Sequence, residues 1–122
     1  MPTLTVEAVE RSTFVIRAAF EDRNGAAVTP TAVTWTLTDA DGTVVNSRRY
    51  VSVTAVAGFA TITLSGADLA VDGLIRVKRI LGISGTHDGS PVREEVTFFI
   101  RPLVDSDTRL VVSGLDIAVS IE

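Results

Sequence analysis

The chain reads as an all-β domain, an antiparallel β-sandwich of about seven to nine strands with an additional C-terminal strand or hairpin. Three observations predict this. Large apolar residues recur at every second position in stretch after stretch, the period of a strand with one buried face. Clusters of Asp, Asn and Gly separate the stretches at short intervals, as in sandwiches and barrels. The hydrophobic share is 46%, drawn mostly from Val, Ala, Ile and Leu, and abundant Thr adds to a strand-favouring composition.

The elements follow in order. Thr3 to Val9 alternates with Leu4, Val6 and Ala8 on one side. Phe14, Ile16, Ala18 and Phe20 alternate with Val15, Arg17 and Ala19. Val33, Trp35 and Leu37 alternate with Thr34, Thr36 and Thr38, which places the indole in the core. Asp39-Ala40-Asp41-Gly42 is expected to close a hairpin onto Thr43 to Arg49. Ala60, Ile62 and Leu64 form the next buried row, and Ser65-Gly66-Ala67-Asp68-Leu69 has the spacing of a single capped turn. Ile75 and Val77 alternate with Arg76 and Lys78. Gly85 to Pro91 is expected to be the loop before a last long strand with Val96, Phe98 and Ile100 inward.

At 122 residues the chain suits one domain with a core that needs no staples. The sequence contains no cysteine, so a disulfide framework, a thiolate zinc site and a cysteine nucleophile are excluded. The start, Met1-Pro2-Thr3-Leu4-Thr5, has no basic region followed by an apolar run, so no signal peptide is expected. No apolar stretch approaches the ~20 residues of a spanning helix, so no membrane partner is expected. A net charge of −4 argues against a nucleic-acid coat, and the few aromatics fall at inward positions, leaving no stacking platform.

Candidate chemistry is sparse. His87 is the single histidine and sits in a turn-like stretch without zinc-ligand partners. Asp39 and Asp41 resemble the start of a calcium loop but lack the closing glutamate, and a hairpin turn accounts for both. Asp105-Ser106-Asp107 is a weaker pattern still. Glu94 and Glu95 are adjacent, so on a strand they face opposite ways and do not form an acid/base pair. No catalytic, metal or cofactor residues are assigned, and no enzymatic activity is expected.

Two features read as contact surfaces. Arg48 and Arg49 follow the hairpin, and Arg76 and Lys78 share a face, either balanced by Glu94 or Glu95 opposite or open to an acidic protein neighbour. Beyond the strands that end by Val104, Arg109 to Ser113 and Leu115 to Ile121 also read as strands, the latter with Leu115, Ile117, Val119 and Ile121 in one row. An apolar strand there either joins the domain's own sheet or adds to a neighbouring subunit. The expected organisation is a sandwich over residues 1–104 and an extension over residues 105–122, with the latter a candidate assembly arm.

The stretch from Ala27 to Arg48, with Val33-Thr34-Trp35-Thr36-Leu37-Thr38 at its centre, resembles the tryptophan-bearing strand region of an immunoglobulin-like sandwich. With Val92 to Val104 as a final strand, residues 4 to 104 resemble the small immunoglobulin-like structural proteins of tailed-bacteriophage virions. The cysteines and tyrosine corner of antibody domains are absent. The resemblance implies a non-enzymatic protein made in the host cytoplasm and assembled in multiple copies, on the capsid as decoration or at the head–tail or tail region. Its partners would be other virion proteins and copies of itself. A bacterial cell-surface adhesion module and a carbohydrate-binding module are the alternatives. The first favours tandem repeats with a secretion signal and the second an exposed aromatic row.

Overall fold

The computed structural model of the chain describes residues 3–71 and 75–102, together with the backbone of residues 116–121. Strands dominate the described residues, with one short helical turn at Gly66–Leu69, so the fold is all-β. The strands are β1 (Ala8–Val9), β2 (Thr13–Ala19), β3 (Thr31–Asp39), β4 (Val51–Ser52), β5 (Phe59–Ser65), β6 (Val77–His87), β7 (Ser90–Arg101) and β8 (Asp116–Ile121). They form a curled five-stranded sheet, β1-β7-β6-β3-β4, and a three-stranded sheet, β5-β2-β8.

The expected antiparallel arrangement is only part of the result. The pairs β2–β5, β3–β4, β3–β6 and β6–β7 are antiparallel, but β1 runs parallel to β7 and β8 runs parallel to β2. Both parallel pairings involve segments from outside the hairpin-connected body, which approach an edge without a tight turn to reverse them.

The period-two rows are the core. Phe14, Ile16 and Ala18 of β2 and Ala60, Ile62 and Leu64 of β5 are buried from one side. Val33, Trp35 and Leu37 of β3, Leu81 and Ile83 of β6, and Val96, Phe98 and Ile100 of β7 are buried from the other. These residues form one cluster, and the Phe14 and Phe98 rings meet across it with centroids 5.4 Å apart. Such a ring pair adds roughly 0.5–1.5 kcal/mol beyond the area it buries. Trp35 is 6% exposed and belongs to this core.

Local chemistry sets the connections. Asp39 Oδ1 accepts hydrogen bonds from the Asp41 and Thr43 backbone N–H groups at 2.9 and 3.0 Å, which closes the turn after β3. The strand expected over Thr43 to Arg49 does not continue from it. Thr38 bridges Val44, then Asn46 and Ser47 adopt positive φ of 52° and 56°, and regular pairing resumes only at β4. The loop expected over Gly85 to Pro91 is shorter in the structure. β6 and β7 stay paired to His87 and Ser90, and the turn is Asp88-Gly89, both at positive φ, as a two-residue hairpin turn requires. Gly85 lies inside that ladder, paired with Val92, and suits the position because a Cβ there would sit 3.1 Å from Val33 Cγ2 and 3.3 Å from the Thr31 carbonyl oxygen.

Two further expectations are corrected. Ile75 precedes β6 and is 68% exposed, since the strand begins at Val77. The first expected strand is reduced to β1 and a single parallel bridge from Thr3 to Thr97; Leu4 and Ala8 are buried, but Val6 is exposed.

Candidate functional site

No group of three or more His, Asp or Glu side chains able to hold a metal ion occurs among the described residues. His87 ends β6 rather than lying in a loop, with its ring Nε2 3.4 Å from the exposed Asp88 carboxylate. Asp39 is occupied with its own turn, and Glu94 and Glu95 are both exposed. Asp105 and Asp107 lie outside the described residues.

The expected basic face resolves differently from its reading in sequence. Arg76 pairs with Glu7 and stacks over the Phe99 ring, its guanidinium carbon 3.7 Å from the centroid. Lys78 is exposed and registered opposite Phe99. Glu94 and Glu95 are opposite Ile83 and Gly82, five and four positions along β6 from Lys78, so neither balances this cluster. Arg76 is a fixed, solvated ion pair at the start of β6.

The buried polar centre is elsewhere, at Asp68, which sequence reasoning treated only as a weak turn cap. Its side chain is 1% exposed. Oδ2 accepts the Ser65 N–H at 3.1 Å, closing the Gly66–Leu69 3-10 turn. Oδ1 accepts Asn46 Nδ2 at 2.8 Å and Arg48 Nε at 2.7 Å. Burial pushes the carboxyl upward, but the hydrogen bonds from Arg48, Asn46 and Ser65 and the Arg48 charge together hold it below its ordinary value. The Arg48 guanidinium is raised, first by its hydrogen bond to Asp68 and then by that residue's charge. This knot ties the loop after β3 to the turn after β5, and beyond it Tyr50 stands 67% exposed at φ 51°. The signal in the sequence was slight, because Asn46 and Arg48 lie about twenty positions from Asp68 and no local pattern joins them.

The row expected to make a contact lies beside β2, and both edges of β2 are paired within the chain. β5 covers one edge of β2 through a seven-pair antiparallel ladder from Thr13–Ser65 to Ala19–Phe59. The other edge carries β8, in parallel register from Thr13–Asp116 to Ala18–Ile121. Of the row expected to make the contact, Ile117, Val119 and Ile121 are registered opposite the buried residues Phe14, Ile16 and Ala18. Leu115 lies outside the described residues, as does the strand expected over Arg109 to Ser113. On β2 itself, Arg17 lies over the Phe59 ring at 3.8 Å, which fixes the exposed face of this ladder. Past the end of β2, a cleft of about 220 Å³ opens between Phe20, Val28, Ile83 and Val92, with Arg93 and Glu21 at its rim.

No known protein family, curated protein or solved structure matches the chain. Among the described residues, no helix is long and apolar enough to cross a membrane.

Proposed function

We propose that this chain is a non-enzymatic structural protein of a bacteriophage virion, built on an immunoglobulin-like sandwich and assembled in multiple copies through its sheet edges. The sandwich reading is supported by strand order. β2 pairs with β5, and β3, β6 and β7 lie together in the other sheet with Trp35 on β3, the grouping that an immunoglobulin-like sandwich would have for its second and fifth strands and the sheet opposite. The virion reading is supported by the resemblance of residues 4 to 104 to virion proteins of that class.

The observation that carries the assembly reading is the pairing of β8. Within the chain β8 fills the β2 edge through a ladder of backbone pairs, so that edge accepts a strand, and addition between copies would use the same groups. Edge pairing supplies affinity from backbone groups alone and needs no polar cluster.

The test is the chain lacking residues 107–122, compared with the full chain in particles and in solution. The truncated chain should remain folded by circular dichroism and fail to incorporate. Unfolding of the truncated chain would make the segment part of the domain rather than an arm. Purified particles that lack the full chain at more than trace stoichiometry would overturn the virion reading.

A further inference from the structure

We propose that β8 is an exchangeable strand: in the free chain it covers its own β2, and in the assembly it is donated, in the same parallel register, to β2 of a second copy. This rests on the multi-copy reading above and names the partner of the β2 edge.

Chain length supports it. Arg101 is paired with Val9, Ser12 N–H donates to the Val9 carbonyl to make a turn, and Thr13 is paired with Asp116. Two strand spacings and one turn therefore put the end of β7 within about 20 Å of the start of β8. Fourteen residues lie between Arg101 and Asp116, and a chain of that length reaches roughly 50 Å. Closing the strand onto its own β2 uses less than half of that reach. The excess leaves β8 able to reach β2 of an adjacent copy.

The mode of attachment supports it as well. Among the described residues, β8 is the last strand in the order β5-β2-β8 and its ladder partner is β2. Every copy offers an identical β2, so the ladder is the same whether made within a chain or between chains. Exchange then has no cost in contacts and is set by local concentration. Withdrawn, β8 would leave a row of unpaired backbone groups on β2 beside the buried Phe14, Ile16 and Ala18, a template for any arriving strand.

Donor and acceptor are different surfaces, so reciprocal donation closes a two-fold dimer, and one-way donation is a head-to-tail contact that closes into a ring or continues as a filament.

The absence of cysteine from the sequence makes a direct test simple. Val15 and Ala118 are register partners. Val15→Cys chain and Ala118→Cys chain, mixed at roughly millimolar concentration, where inter-chain pairing competes with a tethered strand, are oxidised and read on a non-reducing gel. The expected results are a disulfide-linked dimer from the mixture and, from chain carrying both substitutions, linked species of two or more copies. Thr13→Cys with Asp116→Cys repeats the test two positions along the register if Val15→Cys fails to fold. Thr63→Cys, on the far strand β5, should give no dimer with Ala118→Cys, and equal yield there would overturn the assigned register. Only an internally bridged monomer from the double variant, with no dimer from the mixture, would overturn exchange; no disulfide in either would overturn it too. Purified chain suffices, so exchange observed alongside absence from particles would remove the virion reading and leave this one standing.

Discussion

Arg48 donates its Nε hydrogen to Asp68 Oδ1 at 2.7 Å, and only one end of the pair reaches water. The Arg48 side chain is 41% exposed, whereas that of Asp68 is 1% exposed. Losing the aspartate leaves a cation that solvent can take up. Losing the arginine leaves a buried anion with two weaker donors. The two truncations are therefore unequal although they break the same bond.

Arg48→Ala should cost about 3–5 kcal/mol at neutral pH, the range for stranding a buried charge. Asp68→Asn should cost less, near the ~1.5–3 kcal/mol of a charge-assisted hydrogen bond. Urea denaturation of both variants and the double variant measures this. A smaller loss for Arg48→Ala than for Asp68→Asn would remove the asymmetry.

The same knot gives the fold an acid limit. The Asp68 carboxyl is held below its ordinary value in the folded chain. Its stabilisation is then complete above the ordinary carboxylate range, from about pH 4 upward, and is lost as pH falls through the folded value. Stability of the wild type should drop in acid more steeply than that of Asp68→Asn, and the penalty of Arg48→Ala should shrink there. Melting temperatures between about pH 2 and 7 would show it; parallel curves for wild type and Asp68→Asn would count against it.

Trp35→Ala should cost roughly 3–5 kcal/mol, as for a large core side chain that leaves a cavity. Indole fluorescence of the wild type should be blue-shifted and poorly quenched by iodide. A free-energy change under about 1 kcal/mol would displace Trp35 from the core.

The two glycines of β6 should respond unequally to an added methyl. At Gly85 an added methyl meets Val33 Cγ2 at 3.1 Å and the Thr31 carbonyl oxygen at 3.3 Å. Gly85→Ala is then expected to cost about 1–3 kcal/mol by overpacking. At Gly82 the nearest atoms are 4.0 Å away, so Gly82→Ala should lie within about 0.5 kcal/mol of wild type. Matched thermal unfolding of the two variants decides it.

Arg76→Ala should change stability by less than about 1 kcal/mol, because its pair with Glu7 is surface-exposed. A loss above 2 kcal/mol would show that its contact with Phe99 carries more than a surface pairing does.

The core was legible because burial follows the period-two rows: Phe14, Ile16 and Ala18, or Val96, Phe98 and Ile100, need no knowledge of their partners. Trp35 was legible for the same reason. The β6–β7 turn was misread because Gly85 looks like a loop residue when its reason is the close approach of Val33 and Thr31 from β3. Asp88-Gly89 carried the correct signal within the same stretch. The Asp68 knot depended on residues distant in the chain, and the parallel direction of β8 on a pairing for which sequence has no local mark. The pairing of Arg76 was not legible because its partner, Glu7, lies 69 positions away.

The ladder between β2 and β8 also sets a schedule. β2 is made early, at residues 13–19, and the strand that covers its second edge is made about a hundred residues later, at 116–121. At roughly 5–20 residues per second, a nascent chain shows that bare edge to its surroundings for about 5–20 s. On a crowded polysome, neighbouring nascent copies pass through the same interval together, and each could meet a completed β8 before its own emerges.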